Sequence, residues 1–414
     1  MATAATQIEG GDADTNWHHW ADQPGHIADA STPRRAADHW NRVGQDIALL
    51  QELGVKHYRM GIDWARIEPV RGQFDQSALD HYADELAHLC DAGITALVTL
   101  HHFNNPWWFE QAGGFLSPDA ITVFTEYTRA VVERLSPWVD DWITINEPNV
   151  YAVNGYRDGT WPPGHHSLGE TIKVMGTLAQ AHIAAYQVIH AISPSARVGV
   201  AAHLRVFQAA NRWNPLHQVG ARLARYLFQD AMMSAISEGV FHWPLRRPKG
   251  VTPGRYYDFQ GINYYSRTTT TGLHDGVAPG VPVNDLGWEI YPAGLAIVAT
   301  QVHAKYPGPI YITENGTADA ADAFRPLFIY DHLKAVVECG APVERFYHWC
   351  FTDNWEWAEG EGPRFGLLAL DYDTQQRTMR ESGRFYANIA ANGGVTQAAY
   401  QQWVAGRAYP IGGL

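Results

Sequence analysis

Eight short apolar or β-branched runs recur along the chain, at residues 3–7, 55–60, 95–100, 142–146, 197–202, 259–264, 309–313 and 346–350. Helical patterns fill most of the gaps, over residues 38–53, 77–92, 118–135, 168–191, 294–305 and 326–339. The runs are nearly continuous in apolar character rather than alternating. That is the signature of parallel strands buried on both faces. Strand–helix alternation predicts a parallel sheet, and eight units predict that it closes into a (β/α)8, or TIM, barrel. No linker or low-complexity stretch divides the sequence, so residues 1–414 are expected to form a single barrel domain.

In such a barrel, side chains at the C-terminal ends of the strands project into the mouth, where chemistry takes place. Those positions are Gln7, Arg59, His102, Asn146 with Glu147, His203, Asn263 with Tyr265, Glu314 and Trp349. All eight ends carry polar, charged or aromatic groups. A barrel serving only as scaffold has no reason to gather them at one end. Glu147 and Glu314 end the fourth and seventh runs. Three steps around an eight-strand ring set them nearly across the mouth from each other. Cleavage of a glycosidic bond needs two carboxyl groups flanking it, one to protonate the leaving oxygen and one to attack the anomeric carbon or activate water. Spacing alone does not choose between those two mechanisms.

Charge and motif content narrow the remaining classes. The formal net charge is −13 and no basic run exceeds Arg34-Arg35 or Arg246-Arg247, so nucleic acid is not an expected partner. The N-terminus has neither a basic segment nor an apolar one, and no run approaches a membrane span. We therefore expect a soluble cytoplasmic protein without a membrane partner. Cys90, Cys339 and Cys350 lack metal-ligand spacing and are odd in number. They are expected to be small buried hydrophobes in a reducing compartment. The His pairs at 18–19, 101–102 and 165–166 have no metal motif around them, there is no Gly-Lys dipeptide for a phosphate loop, and no Gly-x-Ser-x-Gly elbow. Neither a metal nor another cofactor is expected. The 16 Trp residues and 20 Tyr residues serve packing for the most part, but aromatic planes near carboxylates also suit the apolar faces of sugar rings.

The segment Thr144-Ile-Asn-Glu-Pro148 resembles the acid/base motif of glycoside hydrolase family 1, and Ile312-Thr-Glu-Asn-Gly316 resembles that family's nucleophile motif. The resemblance extends along nearly the whole chain. Tyr58-Arg59 with Trp64-Ala-Arg-Ile, Thr99-Leu-His-His-Phe103, Gly261-Ile-Asn-Tyr-Tyr265, and Trp349 through Asp353-Asn-Trp-Glu-Trp357 to Arg364-Phe-Gly366 all follow the family's pattern. It implies a retaining β-glycosidase acting on terminal non-reducing β-D-glycosides by double displacement, with gluco, galacto and fuco glycones all admitted. Glu314 would be the nucleophile, held ionised by Arg59 and by a hydrogen bond from Tyr265. Glu147 would be the general acid and then the general base. Asn146 would bind the sugar 2-hydroxyl, with Asn263 beside the acid/base. Gln7, His102, Glu356 and Trp357 would bind the outer hydroxyls, and Trp349 would floor the ring. The partner implied is a small β-glycoside or short oligosaccharide.

Three alternatives are weighed by residue. A catalytically silent sugar-binding protein on this fold would be expected to lack a carboxylate. A 6-phospho-β-glycosidase would be expected to carry phosphate-binding groups where Glu356 and Trp357 stand. A thioglycosidase would be expected to carry Gln at position 147. The chain departs from the family's pattern at Phe103, where Trp is usual, at His203, where Asn is expected, and at Asp63, where a small residue is usual. The segments from Tyr265 to Glu314 and from Glu314 to Trp349 are short. That predicts a shallow, open outer site beyond the first sugar, with Trp107, Trp108 and Trp161 either packed beneath loops or forming a leaving-group platform.

Overall fold

Seven strands lie side by side in chain order and pair parallel throughout: β1 (His57–Gly61), β2 (Thr95–His101), β3 (Asp141–Asn146), β4 (Arg197–His203), β5 (Gln260–Asn263), β6 (Ile310–Asn315) and β7 (Val343–His348). This is a computed structural model describing residues 1–272 and 274–412; positions 273, 413 and 414 of the expected domain lie outside the described residues. The ring closes through Ala2, which bridges in parallel to Arg59 on one side and Trp349 on the other. Backbone bonds from Ala2 to His348 (3.0 Å) and from Thr3 to Arg59 (2.9 Å) seal the seam.

The run at 3–7 is therefore not a strand. After Ala2 and Thr3 the chain turns into a short helix, Ala5–Ile8, with all four residues buried. The small and β-branched residues that suggested a strand instead pack a helix over the end of β1. Gly61 permits this: a Cβ there would stand 2.7 Å from the Ala5 nitrogen. Gln7 consequently approaches the mouth from a helix.

The predicted helices appear within two residues at each end, including His39–Glu52, Gln76–Asp91, Ala120–Leu135 and Leu168–Ile192. Gln76–Asp91 shows why. Asp75 caps its first turn by accepting from the Ser77 and Ala78 amides, and Leu79, Tyr82, Ala83, Leu86 and Leu89 form its buried face. Its last turn leaves Cys90 exposed, Cys339 is half-buried and Cys350 is buried. The expectation of three buried cysteines thus holds for Cys350 alone, because helix ends reach the surface. At the barrel end opposite the mouth, the buried Asp141 takes ion pairs from Arg197 and Arg345, each at 2.7 Å.

Two additions sit beyond the ring. Residues Val206–Ala209, Arg267–Thr271 and His274–Gly276 form a small sheet from the segments after β4 and β5, and the helix Pro215–Arg225 packs on it. Among the described residues no helix is long and apolar enough to cross a membrane.

Candidate active site

Arg59 organises the floor of the mouth. It is fully buried on β1 and donates to four neighbours: the Thr99 hydroxyl (3.0 Å), the Thr313 carbonyl (3.1 Å), Asn146 Oδ1 (2.7 Å) and Glu314 Oε1 (2.6 Å). A guanidinium has a rigid fork of donors, so one residue fixes side chains from β2, β3 and β6 together. Glu314 receives a second short bond on its other oxygen, from the Tyr265 hydroxyl at 2.6 Å. Gly316 just beyond lets this corner form, since any side chain there would overlap the Trp349 carbonyl.

Glu147 follows β3 in a left-handed conformation, with φ of 42°. A non-glycine residue pays for that backbone only where surrounding bonds hold it. Its amide donates to the Ala201 carbonyl at 2.7 Å. Its carboxylate receives Asn263 Nδ2 at 2.9 Å and His203 Nδ1 at 3.0 Å, both on Oε1. No hydrogen bond from the described residues reaches Oε2, which is free to carry a proton. Asn263 is oriented by the Thr313 hydroxyl (2.7 Å) and also donates to Asn146 Oδ1 (3.0 Å). Arg205 Nη2 lies 3.1 Å from His203 Nε2. A guanidinium only donates, so Nε2 accepts and the imidazole proton sits on Nδ1, directed at Glu147.

The two carboxyls form one titrating pair. Burial pushes Glu314 up to about 7, with Glu147 adding to the rise, while Arg59 and Tyr265 pull against it. Burial opposes ionisation of Glu147 as well, and a cationic His203 together with Asn263 would bring it below the usual carboxylate range. But burial and Arg205 hold the imidazole below its ordinary value and hence neutral. A neutral imidazole offers Glu147 a hydrogen bond and no charge. The direct guanidinium partner belongs to Glu314 alone, so the pair's negative charge settles there and its proton on Glu147.

Around this pair lie the outer polar groups. Gln7 donates to Asn354 Oδ1 (3.0 Å), the Trp355 carbonyl (3.0 Å) and Glu356 Oε2 (3.2 Å). Its Oε1 is buried without a protein partner. His102 Nε2 accepts from Asn146 Nδ2 at 3.0 Å, leaving Nδ1 buried and unpartnered. An acceptor and a donor left unpaired in a buried site suit a ligand rich in hydroxyls. Burial and the charge of Glu314 raise Glu356 to about 8, against the bond from Gln7. The His102 ring stacks between Trp349 (5.9 Å between centroids) and Trp357 (5.8 Å).

His102, Asn146, Glu147, Tyr265, Glu314, Trp349, Glu356 and Trp357 all line one cavity of about 750 Å3; Gln7, Arg59 and Asn263 bond directly to residues of that lining. The cavity does not stop at the first sugar site. Segments after β3 and β4 extend its wall to Met175, Leu227 and Trp243. The expected shallow outer site is thus walled, with Leu286 and Trp288 of the short segment after β5 on the same lining. Trp161 lines it, packed on Phe103 at 4.9 Å. Trp107 instead stacks on His19, and Trp108 bonds the Glu68 carbonyl. Asp63 caps the helix Trp64–Ile67. The sequence marked His203 as a strand end without giving it a task, and Arg205 drew no attention. Their signal was His203 itself, at a strand end where Asn is expected. Among the described residues no cluster of three or more His, Cys, Asp or Glu is arranged for a metal ion.

Comparison with known proteins agrees with this geometry. The model of glycosyl hydrolase family 1 matches residues 1–241 and 252–395. β-Glucosidase A of Thermotoga maritima is 31% identical, with 95% of this chain and 97% of that protein covered. The 1,4-β-D-glucan glucohydrolase of Thermotoga neapolitana is 30% identical, covering 96% and 97%. The solved structure of the Thermotoga maritima β-glucosidase in complex with glucoimidazole superposes with a TM-score of 0.89 at 30% identity, covering 95% and 97% of the two chains.

Proposed function

The chain belongs to glycosyl hydrolase family 1, and from that premise we propose that Glu314 is the nucleophile and Glu147 the acid/base of its double displacement. It is a retaining β-glycosidase of the β-glucosidase type. The observation that carries the assignment of roles is the asymmetry of the two carboxyls. Glu314 has both oxygens engaged, one by a guanidinium. Glu147 has one oxygen engaged by neutral donors and one open. The first arrangement keeps a nucleophile ionised, and the second presents a proton to the leaving oxygen. Once Glu314 is glycosylated its charge disappears, and Glu147 loses a proton more easily and serves as base for water. The test is the product stereochemistry of a β-glycoside reaction followed by NMR: the first-formed sugar should be the β-anomer, and a first-formed α-anomer would sink the scheme.

Asn146 would hold the 2-hydroxyl, Trp349 the ring face, and Gln7, His102, Glu356 and Trp357 the remaining hydroxyls. The similar Thermotoga maritima β-glucosidase in complex with glucoimidazole and with isofagomine lactam supports a sugar ring as the ligand. Glu356 and Trp357 offer no cation to hold a phosphate, and both carboxylates are present, which disfavours the phospho-glycosidase and silent readings. A single domain over the whole chain is supported by the match on both sides of residues 242–251. Three unpaired cysteines support a reducing, cytoplasmic setting.

Glu356 should distinguish glycones. With its carboxyl raised to about 8 it is largely protonated at neutral pH, so it would exchange hydrogen bonds with the 4- and 6-hydroxyls, each worth about 0.5–1.5 kcal/mol between neutral partners. Fucosides lack the 6-hydroxyl. Glu356→Ala should therefore reduce kcat/KM on p-nitrophenyl β-D-glucoside several-fold more than on the β-D-fucoside. Equal losses would remove this role.

His203 should set the alkaline limb of activity. Its Nδ1–H stabilises the ionised form of Glu147, so His203→Ala should raise the Glu147 pKa. The alkaline limb of the kcat/KM–pH profile, where the acid loses its proton, should move to higher pH. Movement downward, or an unchanged limb with an unchanged fold, would show that the imidazole does not act on Glu147.

A further inference from the structure

The helix Pro215–Arg225 buries its small residues and displays its large ones. Gly220 and Ala221 are the buried positions, and a side chain at 220 would collide with the Gly272 carbonyl of the small sheet beneath. Leu216, Val219 and Leu223 are 72%, 60% and 36% exposed. Their three- and four-residue spacing sets them in one stripe along the helix. Trp213 precedes the helix and is also exposed, as is Trp243.

This stripe is continuous with the active-site cavity. Leu223 lines the same space as Glu147 and Glu314, together with Ile172, Met175, Leu227, Phe228 and Trp243. Eleven large apolar side chains are exposed among the described residues. Four of them (Leu168, Leu223, Trp243 and Trp288) line this cavity, and Trp213, Leu216 and Val219 extend the stripe from it. Seven of eleven in one run is a patch rather than the usual scatter, and such patches mark binding surfaces. Of the charged groups in the outer cavity, Arg157 and Asp158 are paired with each other at 2.7 and 2.8 Å and Arg205 bonds His203 and the Thr268 hydroxyl, which leaves Asp275 and Glu359 beside a lining that is mostly apolar surface. A second and third sugar would ask this wall for hydroxyl partners, whereas a hydrocarbon asks only for apolar surface.

We propose that the leaving group this enzyme is built to accept is a long alkyl alcohol: the sugar lies at the carboxyl pair, and the chain runs past Met175, Phe228 and Leu227 onto the Leu223–Val219–Leu216 stripe. The proposal rests on the retaining β-glycosidase reading with Glu147 protonating the leaving oxygen.

The test is kcat/KM for methyl, butyl, hexyl and octyl β-glycosides of whichever sugar a p-nitrophenyl panel ranks first, each kept below its micelle-forming concentration. A fully buried methylene favours binding about fourfold, and a cavity open on one side should retain about twofold per methylene. Octyl should then exceed butyl by roughly sixteenfold. In Leu223→Asp and Val219→Asp, both at exposed positions, the octyl-to-butyl ratio measured within each variant should fall toward one, while the methyl-to-butyl gain against Met175, Phe228 and Leu227 persists. An octyl-to-butyl ratio within about twofold, alongside good p-nitrophenyl turnover, overturns the proposal and leaves the catalytic reading standing. A steep series that persists unchanged in both variants overturns it too, because the chain then lies elsewhere. Absence of turnover on every glycoside would instead remove the catalytic reading beneath it.

Discussion

Glu314→Ala is expected to lose hydrolysis of p-nitrophenyl β-D-glucoside by about 10^4-fold or more, since the covalent step has no other carboxylate to perform it. The change also leaves the Arg59 guanidinium without its charged partner in a fully buried site. Breaking a buried pair from one side costs about 3–5 kcal/mol, so the variant should melt earlier as well as turn over slowly. Azide or formate separates the two effects. A small anion entering the emptied space restores a partner for Arg59 and a nucleophile for the sugar. Turnover should return in part, and the azide product should be the α-glycosyl azide, formed by one inversion. A β-glycosyl azide, or a variant that hydrolyses at the parental rate, would remove Glu314 from the role.

The barrel was legible because parallel strands buried on both faces leave long apolar runs, and because helices begin at caps such as Asp75. The seam was not legible. Residues 3–7 are small and partly β-branched, as a strand can be, yet the chain turns into a helix at Ala5, a turn that Gly61 leaves room for. The two carboxylates and Arg59 stood out as polar ends of apolar runs, and the structure gathers them within hydrogen-bond reach of common partners. The pairing of His203 with Arg205 was hidden for a physical reason. Neither residue belongs to a motif, and their relation to Glu147 depends on which imidazole nitrogen faces which neighbour. The outer wall was hidden for another. Short segments after two strands predicted an open mouth, but segments after β3 and β4 join Leu286 and Trp288 in walling it, among them a helix whose packing residues are Gly and Ala. No periodicity rule reads that helix as lining a cavity, since its apolar stripe points away from its own sheet.

Glu147→Ala should divide substrates by their leaving groups. An aryl group such as 2,4-dinitrophenol departs as a stable anion and needs no proton, whereas an alkyl alcohol or a sugar does. Formation of the glycosyl-enzyme should therefore fall by about 10^3-fold on cellobiose or an alkyl glucoside and by less than tenfold on the dinitrophenyl glucoside. Breakdown of the intermediate loses its base in either case, so kcat on the activated substrate should drop while KM drops with it, as the covalent species accumulates. Azide should relieve that block and give a β-glycosyl azide, because it attacks the α-linked intermediate from the face Glu147 guarded. The pH profile should change in a defined direction as well. On the acid limb Glu314 ionises while Glu147 is still protonated and uncharged, so removing Glu147 should leave that limb of kcat/KM nearly in place, whereas the alkaline limb, which reports loss of the Glu147 proton, should vanish. The sign follows from charge alone: a neutral carboxyl exerts no pull on Glu314, which stays ionised at every higher pH. Equal losses on activated and unactivated substrates, with both limbs retained, would mean that another group supplies the proton. His203 would be the first to examine, since its Nδ1–H already points to the place Glu147 leaves.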